Sequence, residues 1–272
     1  MCAHSVSKAS GGAEGDAVFG HVLVGIDQTH ESLVAGAQAG VLRAPGGHLV
    51  LVAVAERHLA AHAGLDAVHA GDQVFAETST ELARAQELVD ADEAILESGR
   101  LVDLLCAECT RRGATLIAVG VRPHRRLAAL TFGGHDVDVL HDASCSVLIA
   151  RPGWGPAKPD RIVVAVDGSP ESRAAEAAAR SLAARLERDV VPVVGLSDDV
   201  DLALLRSERD DALLDPGFLI DAVGNAAGRN SLVVVGRARQ PDRHWKGGAV
   251  ERVVYSARCS VLVVEHGPSA SA

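Results

Sequence analysis

TLIAVG-VRPHRRLAALTFGG-HDVDVLHDA-SCSVLIAR, residues 115–151, decides how the rest of the chain is read. The apolar run 116–119 is too short for a helix and is closed by Gly120, so it reads as a strand buried on both faces of a parallel sheet. A basic, glycine-bearing loop follows, then a short helix and a second apolar strand. A loop that leaves the carboxyl end of such a strand is where open α/β sheets bind ligands. The same unit recurs at 231–265 as SLVVVG-RARQPDRHWKGG-AVERVVYSAR-CSVLVVE. Cys145-Ser-Val-Leu answers Cys259-Ser-Val-Leu, so the chain is a tandem repeat built around that loop.

Working outward, 21–26 (HVLVGI) reads as the first strand and ends at Asp27. Thr29 is placed to cap a helix over about 31–43, with Glu31 in its first turn and Leu33, Ala37 and Val41 on one face. Residues 49–55 form the second strand, and 57–75, which hold His58, His62 and His69, read as a loop with at most one helical turn. A helix over about 78–88, a strand at 94–97 and a helix at 101–111 lead into the opening stretch. Between the copies lies RPGWGPAKPD, 151–160, whose three prolines and two glycines read as a linker.

After the linker the order restarts. Strand 161–166 ends at Asp167, and Ser169-Pro170-Glu171 supplies a cap, a proline at the first helical position and an acid in the first turn of a helix running to about Leu186. Asp27 and Asp167 are offset by 140 (167 − 27), but Asp103 and Asp221 by only 118 (221 − 103). The second copy has therefore lost about 22 residues (140 − 118) around its second helix and third strand. Its loop is about two residues shorter as well. This pattern predicts an α/β fold: two tandem open parallel five-stranded sheets with helices on both faces and right-handed crossovers. The boundaries are a flexible arm at 1–19, a first domain at 20–150, the linker, a shortened second domain at 161–266 and a tail at 267–272.

Composition narrows the function. Hydrophobic residues make up 48% of the 272 and aromatics only 3%, so the cores must be aliphatic. A net charge of −10 argues against a nucleic-acid binder, and no apolar run reaches the length of a membrane span. Five cysteines at irregular spacing form no disulfide framework, which fits a reducing cytoplasm.

Asp167-Gly-Ser-Pro-Glu-Ser172 and Gly247-Gly-Ala-Val-Glu-Arg-Val253, with the Cys-x-Val-Leu strand, resemble the universal stress protein family, and they do so in order and twice over. The resemblance covers nearly everything from 21 to 265. It implies a Rossmann-like, adenine-nucleotide α-hydrolase-like fold, a non-enzymatic stress-response regulator, and ATP or another adenine nucleotide as ligand. It also implies pairing through the last strand, here an internal pseudo-dimer of the two domains, with a homodimer and an unidentified protein partner open. Nucleotide-binding members carry Gly-x2-Gly-x9-Gly-Ser/Thr, with the first-strand Asp near the adenine. The glycines admit backbone N–H groups to phosphate, and the helix N-terminus adds its positive dipole.

Both copies depart from that motif. In the first, Gly120 and Gly133 keep the spacing (133 − 120 = 13), Pro123 replaces the second glycine and Gly134 the hydroxyl residue, and Asp136 and Asp138 follow in the first helical turn. In the second, Gly236 is followed by Arg239 at the second glycine position, the spacing to Gly247 is 11 (247 − 236), and Gly248 again lacks the hydroxyl. Both loops are nevertheless basic: Arg122, His124, Arg125 and Arg126 in one, Arg237, Arg239, Arg243 and Lys246 in the other. Guanidinium groups can replace lost backbone donors to phosphate, or simply pair with neighbouring acids.

Asp27 and Asp167 read equally as helix-capping turns and as ligand-facing carboxylates. Cys106-x-x-Cys109 lies in a helix with Cys106 facing the core, and His58 with His62 lacks a third ligand, so neither reads as a metal site. Ser169 reads as a cap, and Trp154 as a residue packed between the domains. Three functions follow: a nucleotide-responsive stress regulator, an interaction module that binds no nucleotide, and, against the missing hydroxyls and general base, an adenine-nucleotide enzyme.

Overall fold

The computed structural model describes residues 18–27, 29–55, 67–121, 135–196, 213–238 and 249–266. The first half runs β1 (His21–Ile26), α1 (His30–Leu42), β2 (His48–Val54), α2 (Ala67–Val89), β3 (Glu93–Glu97), α3 (Leu101–Arg112), β4 (Leu116–Gly120), α4 (His135–Asp142) and β5 (Ser146–Ala150). The second runs β6 (Ile162–Val166), α5 (Pro170–Leu186), β7 (Val190–Leu196), β8 (Leu213–Phe218), α6 (Leu219–Ala226), β9 (Leu232–Ala238), α7 (Ala249–Ser256) and β10 (Ser260–His266).

Within each half the strands are parallel, as the alternation of strand and helix requires. The two five-stranded sheets meet through their last strands. They form one ten-stranded sheet in the order β3-β2-β1-β4-β5-β10-β9-β6-β7-β8. The join is the antiparallel pairing of the two last strands, with Ile149 opposite Val261 and Val147 opposite Val263. An apolar last strand with an open edge has a row of unpaired N–H and C=O groups, and pairing it with its repeat removes that edge.

Alternate strand residues feed two cores. Val22, Val24, Leu49 and Leu51 pack on one face with Ala35, Leu42, Leu82, Trp154 and Leu182. Leu23, Val50 and Val52 pack on the other with Leu105, Val139, Leu140, Val223 and Val253. Both cores run through both halves, and Trp154 of the 151–160 segment is buried in the first.

The repeat's Cys-Ser-Val-Leu strand explains itself at the join. Ser260 Oγ accepts from the Arg151 backbone N–H at 3.0 Å, and Ser146 Oγ accepts from the Glu265 N–H at 3.2 Å. Each serine thus satisfies a backbone donor at the far end of the strand opposite. Gln38, fully buried, completes the polar knot: its Nε2 donates to the Arg151 carbonyl at 2.9 Å, and its Oε1 accepts from Ser260 Oγ at 2.7 Å.

Three arginines then cross between halves to helix C-termini. Arg151 donates to the carbonyls of Val254 (2.6 Å) and Cys259 (3.3 Å) at the end of α7. Arg237 donates to Leu140, Ala143 (2.8 Å) and Cys145 (2.9 Å) at the end of α4. Arg185 on α5 donates to Val41, Leu42 and Arg43 at the end of α1. Helix C-termini present unpaired carbonyls and partial negative charge, which cations satisfy.

Several sequence expectations need correction. Residues 67–75 are helical, part of α2, where a loop was expected. The inward stripe of buried Gly71, Thr78, Leu82 and Ala85 with half-buried Val74 and Val89 keeps helical spacing well upstream of 78, and that periodicity outweighs the run of small residues. On α1 the face turned fully inward is Ala35, Gln38, Ala39 and Leu42; Leu33, Ala37 and Val41 are half-buried at its margin. On α3 it is Cys109 that is buried, while Cys106 is half-exposed. Arg237 belongs to strand β9 and is buried, so it is not a loop arginine.

Replacing Arg237 by Met keeps the length of the side chain but strands three carbonyls. We expect a loss of about 3 kcal/mol or more, read as a melting temperature lowered by roughly 6 °C or more in the ligand-free protein. Unchanged stability would return Arg237 to the loop.

Candidate functional site

The carboxyl ends of β1 and β4 diverge on either side of α1's N-terminus, and a cleft of about 1130 Å³ opens there. Its rim is built locally. Asp27, exposed just past β1, accepts from Thr29 through both the backbone N–H (3.3 Å) and the hydroxyl. Thr29 Oγ1 in turn accepts from the Ser32 N–H at 3.3 Å, and Ser32 Oγ donates to the Thr29 carbonyl at 2.9 Å. This is a side-chain turn feeding a helix cap. The second half repeats it: Asp167 accepts from the Ser169 N–H at 3.0 Å, and Ser169 caps the Ser172 N–H at 3.1 Å. Partial burial, the largest influence on Asp167, raises its pKa, but the hydrogen bonds from Ser169 and Ser172 together outweigh it and leave the carboxyl below its ordinary range.

Gly120 and Gly236 serve the same close approach. A Cβ on Gly120 would overlap the Glu31 carbonyl and stand 2.6 Å from the Ser32 nitrogen; on Gly236 it would overlap the Glu171 carbonyl and stand 2.9 Å from the Ser172 nitrogen. The first glycine of each loop therefore lets the helix N-terminus settle onto the neighbouring strand. This packing holds whether or not phosphate binds.

The cleft has an apolar floor and an acidic wall. Gly25, Ile26, Ala53, Val54, Val119 and Gly120 form the first, and α2 supplies Glu77, Thr78, Glu81 and Arg84 to the second. Asp27, Thr29, His30 and Ser32 stand at the rim, and Val121 and Val139 line the side where the chain leaves for and returns from residues 122–134. Cavities of about 300–1,000 Å³ take drug-sized ligands, so the space suffices for a nucleotide.

Of the residues singled out from sequence, the structure brings Asp27 and Gly120 together on one cleft and places Asp167 and Gly236 at the matching corner of the second half. Arg122, Arg125, Arg126, Gly133, Gly134, Gly247 and Gly248 lie outside the described residues, as do Pro123, Arg239, Arg243 and Lys246, and His58 with His62. Sequence reading missed the α2 wall, although the period of Val74, Thr78 and Leu82 was there to find it. Among the described residues no cluster of three or more His, Cys, Asp or Glu is placed to hold a metal, and no helix is long and apolar enough to cross a membrane.

The sequence model of the universal stress protein family matches residues 19–151. The first half is a universal stress protein domain. Solved structures share the whole architecture. A universal stress protein from Archaeoglobus fulgidus superimposes with a TM-score of 0.73 at 15% identity, covering 93% of this chain and 98% of that one. A universal stress protein, described as putative, from Pseudomonas aeruginosa gives 0.61 at 20% identity, covering 91% and 93%. The cytoplasmic domain of a prokaryotic cation chloride cotransporter gives 0.52 at 13% identity, covering 90% and 95%. No curated protein matches the sequence. At these identities the structures establish the fold that the universal stress protein domain shares with its repeat.

The packing role of the two glycines is testable without ligand. Gly120→Ala and Gly236→Ala should each lower stability by about 1–3 kcal/mol, the cost of forcing a methyl group into a filled space. A thermal melt of each apo variant reads this directly; two unshifted curves would leave the glycines to ligand binding alone.

Proposed function

We propose that the universal stress protein domain of the first half binds ATP or a related adenine nucleotide in this cleft, and that the chain is a cytoplasmic, non-enzymatic stress-response regulator. The observation that carries the reading is the cleft itself, at the carboxyl ends of β1 and β4, with Asp27 and Gly120 on its lining. An apolar floor suits the face of a purine, and carboxylates suit its amino group and the ribose hydroxyls.

Electrostatics orients the ligand. Glu77 and Glu81 repel phosphate from the α2 side. The phosphates therefore point toward the side where Val121 leaves and Val139 returns, and the stretch between carries Arg122, Arg125 and Arg126. Those guanidinium groups replace the donors lost with Pro123 and Gly134. The second half ranks below the first, because the sequence between β7 and β8 is about 22 residues shorter than that between β2 and β3 (38 − 16).

Titration calorimetry with ATP at two salt concentrations tests this. Neutralising Arg122, Arg125 and Arg126 together should weaken binding at least about tenfold, corresponding to about 1.4 kcal/mol, and so should added salt. Asp27→Ala should weaken it and Asp167→Ala leave it unchanged, while bound ATP stays unhydrolysed. Loss on Asp167→Ala alone would move the site to the second half. A wild-type protein that binds no nucleotide would overturn the reading in favour of an interaction module.

A further inference from the structure

Away from the cleft, two thiols meet inside the first half. Cys109 lies in the last turn of α3 and Cys145 just before β5, 36 residues later, and their sulfurs are 3.1 Å apart. Both are buried, at 2% and 6% exposure. The approach is closer than packing alone requires, and a sulfur–sulfur bond of about 2.05 Å needs a further closing of only about 1 Å.

The repeat shows which cysteine makes the pair. Cys259 holds the place of Cys145 in the second half and is buried as a lone thiol, so a cysteine at that position serves the core. Counting from the helix starts, Leu101 and Leu219, the place of Cys109 is taken by Ala227 (109 − 101 = 8; 219 + 8 = 227). The dithiol is therefore an addition confined to the first half.

We propose that Cys109 and Cys145 form a redox modification site, at which a hydroperoxide oxidises the dithiol to a disulfide that ties α3 to the turn between α4 and β5. The Cys109 thiolate attacks the outer oxygen of the peroxide, the O–O bond breaks, and the alcohol or water leaves, giving a sulfenic acid. The Cys145 sulfur then attacks that sulfur, the S–O bond breaks, and hydroxide departs as water with the Cys145 proton. Two thiols and one hydroperoxide become one disulfide, one water and one alcohol (a second water when the oxidant is hydrogen peroxide). The two electrons leave the sulfurs for the O–O bond.

The surroundings favour Cys109 as the attacking group. Hydrogen bonding from Cys145, and then from Ser144, outweighs burial and brings Cys109 down to about 7, while Cys145 is pushed up by the same shared proton. Burial, joined by the nearby Asp142 and Asp103 carboxylates, raises Cys106 to about 11, and burial raises Cys259 to about 11, which leaves them as thiols at neutral pH. With both sulfurs buried, only a small oxidant reaches them, and the reaction is slow. The bond closes a loop that contains the arginine-bearing stretch 122–134, and it ties α3, whose Leu101 lines the cleft, to the turn that follows α4, whose Val139 lines it too.

Full-length protein, reduced and then treated with hydrogen peroxide, is alkylated, digested and read by mass spectrometry. The expected result is a Cys109–Cys145 cross-linked peptide pair, loss of two of the five thiols, and reversal by dithiothreitol. The oxidised protein should melt roughly 5–10 °C above the reduced form, since the bond closes a long loop in the unfolded chain. Cys109→Ala, which copies Ala227, should abolish both effects, and Cys259→Ala should leave them intact. The proposal fails if no intramolecular cross-link forms, if the link runs through Cys106, or if the thiols pass to sulfinic acid instead. The wild-type peptide map decides this even where a variant does not fold.

Discussion

The antiparallel pairing of β5 with β10 is the constraint on which the rest depends. Each half alone would end its sheet on a largely apolar strand with its backbone groups open on one side. Laying the two last strands against each other satisfies those groups and merges the two sheets. It also lets both cores continue across the join. Ser146 and Ser260 then cap donors on opposite strands, and Gln38 joins the polar knot by bridging the Arg151 carbonyl and the Ser260 hydroxyl.

The join also decides where positive charge is used. Arg151, Arg185 and Arg237 each reach into the other half and donate to carbonyls at a helix C-terminus. A buried guanidinium is tolerable only when its donors are satisfied, and an unpaired helix end supplies several acceptors in the right place. These arginines hold the halves in register and are withdrawn from any contact with ligand. In a protein of net charge −10, that leaves Arg84 of α2 as the arginine on the cleft lining among the described residues.

Two repeats of one fold have become unequal through local differences. In the first half α2 supplies one wall of the cleft at Asp27. This half also carries Cys109, where the second has Ala227. The matching corner at Asp167 and Gly236 keeps the turn and the close helix contact, because those features hold the fold together whatever the ligand. The same architecture also serves the cytoplasmic domain of a cotransporter, so the fold does not name the ligand and the cleft must.

The sequence by itself determined the order of the described strands and of most of the helices between them, and the corners at Asp27 and Asp167, because each rests on local periodicity, capping and turn chemistry. Set against the motif of the family it resembles, it also showed that the glycine loops are altered. Only the tertiary structure decided that the last strands pair antiparallel with Ile149 opposite Val261, that Arg237 is a structural cap instead of a phosphate ligand, and that Gly120 and Gly236 are required by the carbonyls of Glu31 and Glu171. It likewise brought Cys109 to Cys145 and Glu77 to the cleft. Those facts join residues far apart in the chain, and no local pattern encodes which of two buried faces will meet, or which of several arginines finds a helix end. They follow from the pairing of β5 with β10 and from the close packing it imposes.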